Sequence, residues 1–192
     1  MKLKTDLLNP KNFNRTQFEL EEFLLLCAFV AGKSSKQQYH KLELFLDLLD
    51  LSNGIFEALS KLSITEIKEK LIQVKTGQYE RLSSCLFVLS RKNLNLSTCS
   101  CEDLEAIPGI GMKTSRFFIT YSRPKSMCAI LDTHILSYLR FYYPDAPKAT
   151  PSNKKQYLKW ENLFLAQCFL RGMEPNELDI EIWKTYQKSW TL

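Results

Sequence analysis

A tight turn between two helical stretches constrains this chain more than any other feature. Residues 104–120 read Leu-Glu-Ala-Ile-Pro-Gly-Ile-Gly-Met-Lys-Thr-Ser-Arg-Phe-Phe-Ile-Thr. The spacing predicts a short helix ending at Ile107, a turn over Pro108-Gly109-Ile110-Gly111, and a second helix beginning near Met112. Two glycines permit backbone angles that other residues avoid, and they bring the main chain close to whatever it faces. The second helix then presents unpaired N–H groups and a positive dipole end, which suits a phosphate. This is the pattern of a helix-hairpin-helix, which grips DNA backbone without reading sequence. Gly109, Gly111 and Thr114 are its candidate contacts.

Helix signals dominate the rest of the chain. Thr16-x-x-Glu19, Ser63-x-x-Glu66 and Ser100-x-x-Asp103 each read as a capping box. In each, a hydroxyl accepts from an orphan N–H while the acid sits where the helix dipole favours it. Thr150-Pro151 reads as another helix start, and Gly32, Gly54, Gly77 and Gly172 as stops or turns. Leu42, Phe45, Leu46 and Leu49 share a helical face. Leu158, Leu163, Leu165 and Phe169 do so in part, around Trp160. No stretch alternates with period two between hairpin turns, and there is no internal repeat. The expected fold class is all-α, with eight to ten helices.

Composition narrows the function classes. With 192 residues, 45% of them hydrophobic, the chain can bury one core or two small lobes that share one. A net charge of +5 is compatible with an anionic partner such as DNA but does not select one. The longest apolar run, residues 23–31, falls far short of the roughly 20 residues a membrane helix needs. Residues 1–6 carry no signal-peptide core. No membrane association is expected, and the location is expected to be cytoplasmic, on the nucleoid. Of the six cysteines only Cys99 and Cys101 stand close, with no His nearby to complete a zinc site. Free thiols and no metal are expected.

Nineteen residues after Lys113 comes Ile-Leu-Asp-Thr-His-Ile-Leu, residues 130–136. Asp132 lies between an apolar pair and a helical run, as an N-cap worth about 1 kcal/mol. A cap aspartate at a cleft edge has a second use. One of its oxygens can face a reacting sugar and stabilise an oxocarbenium ion developing at C1′. Lys113, likewise, can be a nucleophile or a simple phosphate neutraliser.

Taken together, IPGIGMKTSRFF and LDTHI resemble the helix-hairpin-helix–Gly/Pro–Asp superfamily of DNA glycosylases. The resemblance is closest over residues 100–140, with a looser helical match from about 18 to 192. It implies Lys113 as the nucleophile, Asp132 as the essential carboxylate and His134 as a DNA-backbone contact. The lysine implies lyase as well as glycosylase chemistry. Endonuclease III and its close kin carry four cysteines near the C-terminus for an iron–sulfur cluster. No cysteine follows Cys168 here, so no cluster is expected.

The segment Glu-Leu-Asp-Ile-Glu-Ile-Trp, residues 177–183, is similar to the terminal helix of the archaeal-type 8-oxoguanine glycosylases. That likeness implies that Phe117, Asp179 and Trp183 surround an extruded purine. Lys113 and Phe117, and Asp179 and Trp183, are i,i+4 pairs, each on one helix face. A stacking aromatic on each side and a carboxylate accepting from a base N–H would make a base pocket. On the residues alone, Trp183 reads also as core.

The resemblance thus implies a bifunctional enzyme on double-stranded DNA. A damaged nucleotide flips out, and Lys113 attacks C1′ as the base departs. A Schiff base forms, and β-elimination nicks the strand. The first-choice base is 8-oxoguanine. No cofactor is required, though the hairpin carbonyls are candidates for a monovalent cation, and a monomer is expected. Two other readings remain open: the same chemistry on an oxidised pyrimidine or a phage-type modified cytosine, in repair or in defence, and a non-catalytic DNA-binding module. Residues 32–38 are the candidate wedge, with Lys33 and Gln37 as DNA contacts and Lys36, Lys75 and Arg81 as further phosphate contacts. The expected architecture has residues 33–125 as one lobe and residues 1–32 plus 126–192 as the second. The cleft lies between them, with Asp132 at the seam facing Lys113.

Overall fold

Where the helices begin follows from local chemistry. A computed structural model describes residues 12–33 and 35–189, and all regular elements in it are helices. All three capping boxes form. Thr16 caps α1 (Gln17–Phe29), Ser63 caps α4 (Ile64–Gln73) and Ser100 caps α6 (Cys101–Glu105), each with the reciprocal acid bond. The other helices are α2 (Ser35–Leu46), α3 (Ile55–Ser60), α5 (Tyr79–Leu89), α7 (Met112–Ser122), α8 (Thr133–Tyr142), α9 (Lys154–Arg171) and α10 (Pro175–Ser189). Gly172, in the left-handed region, closes α9 by donating to the Cys168 and Phe169 carbonyls. No helix among the described residues is long and apolar enough to cross a membrane.

Two buried clusters divide the chain near residue 128. The first is built around α1, where residues 20–29 are all buried. A helix apolar on every side belongs in the middle of a core, and α1 packs against α2, α3, α5 and α7. The N-terminal helix therefore sits within the first cluster, whereas residues 1–32 were expected beside residues 126–192. Residues 1–11 lie outside the described ones. Glu21, buried on α1, accepts from the Ile55 and Phe56 amides at 3.0 and 2.9 Å. It thereby supplies the cap that Gly54 lacks at the start of α3.

The second cluster packs α8, α9 and α10 around Tyr157, Trp160 and Phe164. Two expectations are corrected in this region. The buried face of α9 runs through Tyr157, Trp160, Phe164 and Cys168, not through Leu158, Leu163, Leu165 and Phe169. Phe169 is 86% exposed. The window offers apolar residues at two helical phases, and contact with α8 selects one. The helix also starts later than Thr150-Pro151, at Asn153, whose side chain accepts from the Gln156 amide. The Thr150 hydroxyl is used elsewhere, donating to the Leu131 carbonyl at 2.7 Å.

The hairpin forms as expected between α6 and α7. Gly109 has φ +85°, and a Cβ there would lie 2.9 Å from Arg81 Cγ. Arg81 is not a free phosphate contact: its guanidinium donates to the carbonyls of Gly109 and Ala28 and to Gln78 Oε1. It ties the hairpin to α1 and α5. The candidate wedge is also reshaped, because residues from 35 onward are helical. Gln38 is buried, with Nε2 donating to the Thr76 carbonyl at 3.2 Å. Ser34 and the side chain of Lys36 lie outside the described residues.

Candidate active site

Helix α7 carries Lys113, Phe117 and Tyr121 at four-residue intervals, so the three form one stripe. The Phe117 ring meets the edges of two neighbours, Tyr121 at 5.4 Å and Phe23 of α1 at 5.9 Å. A flank of α7 beside this stripe is pinned by charge. Arg116 is buried, ion-paired with Glu105 and with Glu161 of α9, and it lies over the Tyr157 ring. Burial works against its charge, but the Glu161 and Glu105 carboxylates outweigh it and hold the guanidinium firmly protonated. A buried charge of this kind requires paired, hydrogen-bonded partners.

The same partners fix the segment that carries Asp132. Glu161 Oε1 accepts from the Ala129 amide at 2.9 Å. The Tyr157 hydroxyl donates to the Ala129 carbonyl and accepts from the Leu131 amide. With Thr150 on the Leu131 carbonyl, the backbone before Asp132 is held from both sides. Asp132 is the N-cap of α8, as its position predicts. Both cap bonds, from the His134 and Ile135 amides at 2.9 Å, fall on Oδ1. Oδ2 makes no hydrogen bond among the described residues. Lys113, similarly, makes neither a hydrogen bond nor an ion pair among them.

Across from α7 stands α10. The Tyr121 hydroxyl donates to Asp179 Oδ2 at 2.5 Å. Burial pushes the Asp179 carboxyl up to about 7; the Tyr121 bond pulls it down, and the negative charge of Asp132 adds to the rise. The Tyr121 phenol itself is pushed well above its usual range, by burial first and by Asp179 second. Trp183, one turn beyond Asp179, is 46% exposed, so it is not a core residue.

These walls enclose a cleft of about 570 Å³. The structure brings Lys113, Asp132, Phe117, Asp179, Trp183 and Thr114 together on its lining. The other expected contacts lie outside it. Gly109 and Gly111 belong to the hairpin, and His134 faces the Tyr186 ring at 5.5 Å. Lys33, in the connection after α1, and Gln37, on α2, are exposed. The two glycines are not equivalent. Gly111 is extended, at φ −99°, with open space where a Cβ would go, so the fold does not require glycine there. The Gly109 carbonyl, one candidate donor to a cation, already accepts from Arg81.

Several residues that shape the site were not singled out from sequence. Tyr121 was within reach, since it extends the Lys113–Phe117 stripe by one more turn. Arg15 was not: it lies over the Phe23 ring at 4.4 Å and donates to the Tyr121 carbonyl, a contact from a separate segment of chain. Glu161 and Tyr157 carried no local signal, because their partners lie about 30 residues or more away. Chemically, an amine and a carboxylate oxygen that have no partner among the described residues, on one largely apolar cleft, can attack an electrophilic carbon and take up the proton released.

No family model matches the chain. In sequence it is similar to the 8-oxoguanine DNA glycosylase/AP lyase of Thermoplasma volcanium, 29% identical over 177 residues, covering 85% of this chain and 78% of the relative. In structure it is similar to the Methanocaldococcus jannaschii 8-oxoguanine glycosylase/lyase in complex with a 15mer DNA containing 8-oxoguanine. That match has a TM-score of 0.71 at 20% identity and covers 95% of this chain and 87% of the other. It is also similar to the 8-oxoguanine DNA glycosylase of Thermotoga maritima, with a TM-score of 0.65 at 22% identity over 88% and 79% of the two chains. The likeness first carried by IPGIGMKTSRFF, LDTHI and the terminal helix therefore runs through most of the chain, which has the all-helical fold of the 8-oxoguanine glycosylases.

Proposed function

We propose that this protein is a bifunctional DNA glycosylase/AP lyase that releases 8-oxoguanine from duplex DNA. One observation carries the reading: Lys113, without a hydrogen-bond or ion-pair partner among the described residues, lines the same cleft as Asp132, whose Oδ2 is unbonded among them, and as a base-sized wall of Phe117, Asp179 and Trp183.

In this reading a flipped nucleotide places its base between α7 and α10 and its sugar between Lys113 and Asp132. Lys113 Nζ forms a bond to C1′ while the glycosidic bond breaks and its electron pair leaves with the base. Asp132 Oδ2 offsets the positive charge that builds at C1′ and accepts the proton the amine must shed. The sugar opens to a Schiff base. Asp132 returns its proton to O4′ as the ring opens, the departed base anion takes up the C2′ proton, and the electron pair left at C2′ expels the 3′-phosphate and cuts the strand. As written, the chemistry calls for no metal or cofactor, and a single chain supplies every group. The N-terminus of α7, uncovered at Gly111 and flanked by Thr114, suits a backbone phosphate. Asp179 and Trp183 read the base by hydrogen bonding and stacking.

The test is borohydride trapping on duplex oligonucleotides carrying 8-oxoguanine opposite each base, oxidised pyrimidines, modified cytosines or an abasic site. Wild type and Lys113→Gln are run side by side. Trapping on 8-oxoguanine that vanishes in the variant is the expected result. Best trapping on another base would keep the chemistry and change the substrate. Duplex binding without trapping, even at an abasic site, would make Lys113 a phosphate clamp.

A further inference from the structure

The Asp179 carboxyl has one hydrogen-bond partner among the described residues, the Tyr121 hydroxyl, and that bond falls on Oδ2. Oδ1 is left over, on a residue that lines the cleft. Tyr121 is itself fixed. The Phe117 ring stands at 90° to it, and Arg15 donates to its main-chain carbonyl. A phenol held in this way is a one-directional donor. It selects which oxygen of Asp179 is spent inside the protein and which remains for a ligand.

From this geometry we infer that Tyr121 is a positioning residue for base recognition: it holds Asp179 Oδ2 so that Oδ1 accepts from the N–H edge of the flipped purine. The inference rests on the base-excision reading above and adds to it a residue that acts through Asp179.

The consequence is a pH signature. An ionised carboxylate presents Oδ1 only as an acceptor, whereas the protonated carboxyl can carry its proton on Oδ1 and set a donor against the purine N–H groups. Burial holds Asp179 near 7, against the downward pull of the Tyr121 bond. The charged and titratable groups about it are Tyr121 and Lys113 on α7, Arg15 just before α1 and Cys27 on it, Asp132 at the start of α8, Cys168 on α9 and Lys184 on α10. Deleting the phenol hydroxyl removes a bond that favours the carboxylate, so the Asp179 midpoint moves up. Base release at pH 7 then falls and recovers at higher pH. Opening of an abasic site has no base to read and keeps its wild-type profile.

The experiment has two arms. In the first, the Asp179 carboxyl is titrated by carbon-detected NMR in the substrate-free protein, with Asp179→Asn used to assign the signal. Tyr121→Phe is expected to raise the midpoint by on the order of one pH unit. An unchanged midpoint would overturn the inference whatever the enzyme's substrate. In the second arm, excision of 8-oxoguanine and cleavage at an abasic site are followed against pH. Tyr121→Phe is expected to lose on the order of tenfold in excision at pH 7, with abasic cleavage unchanged and no further loss in the Asp179→Asn background. Equal loss on both substrates would make Tyr121 a merely structural residue. If wild type cleaves abasic sites but releases no 8-oxoguanine, the base assignment fails, and the first arm alone decides whether Tyr121 governs Asp179.

Discussion

The two walls of the cleft are built on different physics. Helix α7 is locked by buried charge, with Arg116 between Glu105 and Glu161 and with Glu161 and Tyr157 also gripping the backbone before Asp132. Helix α10 is held by apolar packing through Leu178 and Ile182, and it meets α7 in the Tyr121–Asp179 bond while leaving Trp183 half exposed. The wall with over-determined geometry carries Lys113 and faces Asp132, where a small misplacement is expensive for bond formation. The wall with looser support carries Asp179 and Trp183, which would read the base against Phe117 and Tyr121 of α7. The contrast teaches that one cleft can rest the reacting groups on a charge-locked wall while part of its recognition stands on a wall held by apolar packing.

The sharpest way to break this contrast is to remove the proposed nucleophile. Lys113→Gln is expected to abolish trapping and slow excision by on the order of a thousandfold or more. Because Lys113 has no partner among the described residues, the variant should unfold at the same urea concentration as wild type. Residual trapping would move the nucleophile elsewhere. The next largest effect is structural. Glu161→Ala leaves Arg116 without its best partner and frees the Ala129 amide, and breaking a buried pair costs about 3–5 kcal/mol. Urea unfolding should show that loss, with slower cleavage of abasic sites as Asp132 loses its support. A change under about 1 kcal/mol would mean that α7 is not held by this network.

How much of this was legible in the sequence follows the reach of each signal. The helix starts at Thr16, Ser63 and Ser100 are set by bonds three residues long, and they were readable. The hairpin and the Asp132 cap are equally local, so Lys113 and Asp132 could be paired once the resemblance named their roles. The phase of α9 was not readable, since Leu158 and Tyr157 fit a helix equally well and only tertiary contacts, with Arg116 over the ring and the 129–131 backbone on the hydroxyl, bury Tyr157. Arg81 looked like one more surface cation, yet it spans α1 and the hairpin, two places a sequence does not put side by side. Local rules therefore placed the reacting groups, while the residues that hold them in place remained hidden.

A third prediction sharpens the α10 side. In the unfolded chain the Asp179 carboxyl ionises near 4, whereas burial holds it near 7 in the fold. Stability linked to this group is therefore fully present below about pH 4, declines from there to about pH 7, and is lost above that. The loss is on the order of 2–4 kcal/mol. Asp179→Asn keeps an acceptor for Tyr121 and cannot ionise. It should raise the melting temperature at pH 8, leave it unchanged at pH 4, and cost excision at pH 8, where the wild-type carboxyl is ionised. A variant no more stable at pH 8 would mean that water reaches this carboxyl freely.

The smallest effects come from the two hairpin glycines, and they separate fold from ligand most cleanly. Gly109→Ala places a methyl at φ +85°, 2.9 Å from Arg81 Cγ and 3.2 Å from the Arg81 carbonyl oxygen. The side chain can move, but the backbone oxygen cannot, so a loss of about 2 kcal/mol is expected in urea unfolding. Gly111→Ala meets nothing within 4 Å at an ordinary extended angle, and should cost only about 0.5 kcal/mol. Its methyl would project into the open space at the start of α7, where a phosphate would have to come close to the amides. The expectation is a nearly wild-type fold with duplex affinity weakened by on the order of tenfold. If the Gly111 variant bound duplex as tightly as wild type, the free amides of α7 would not be seating a phosphate, and the grip on DNA would have to come from other surfaces of the protein.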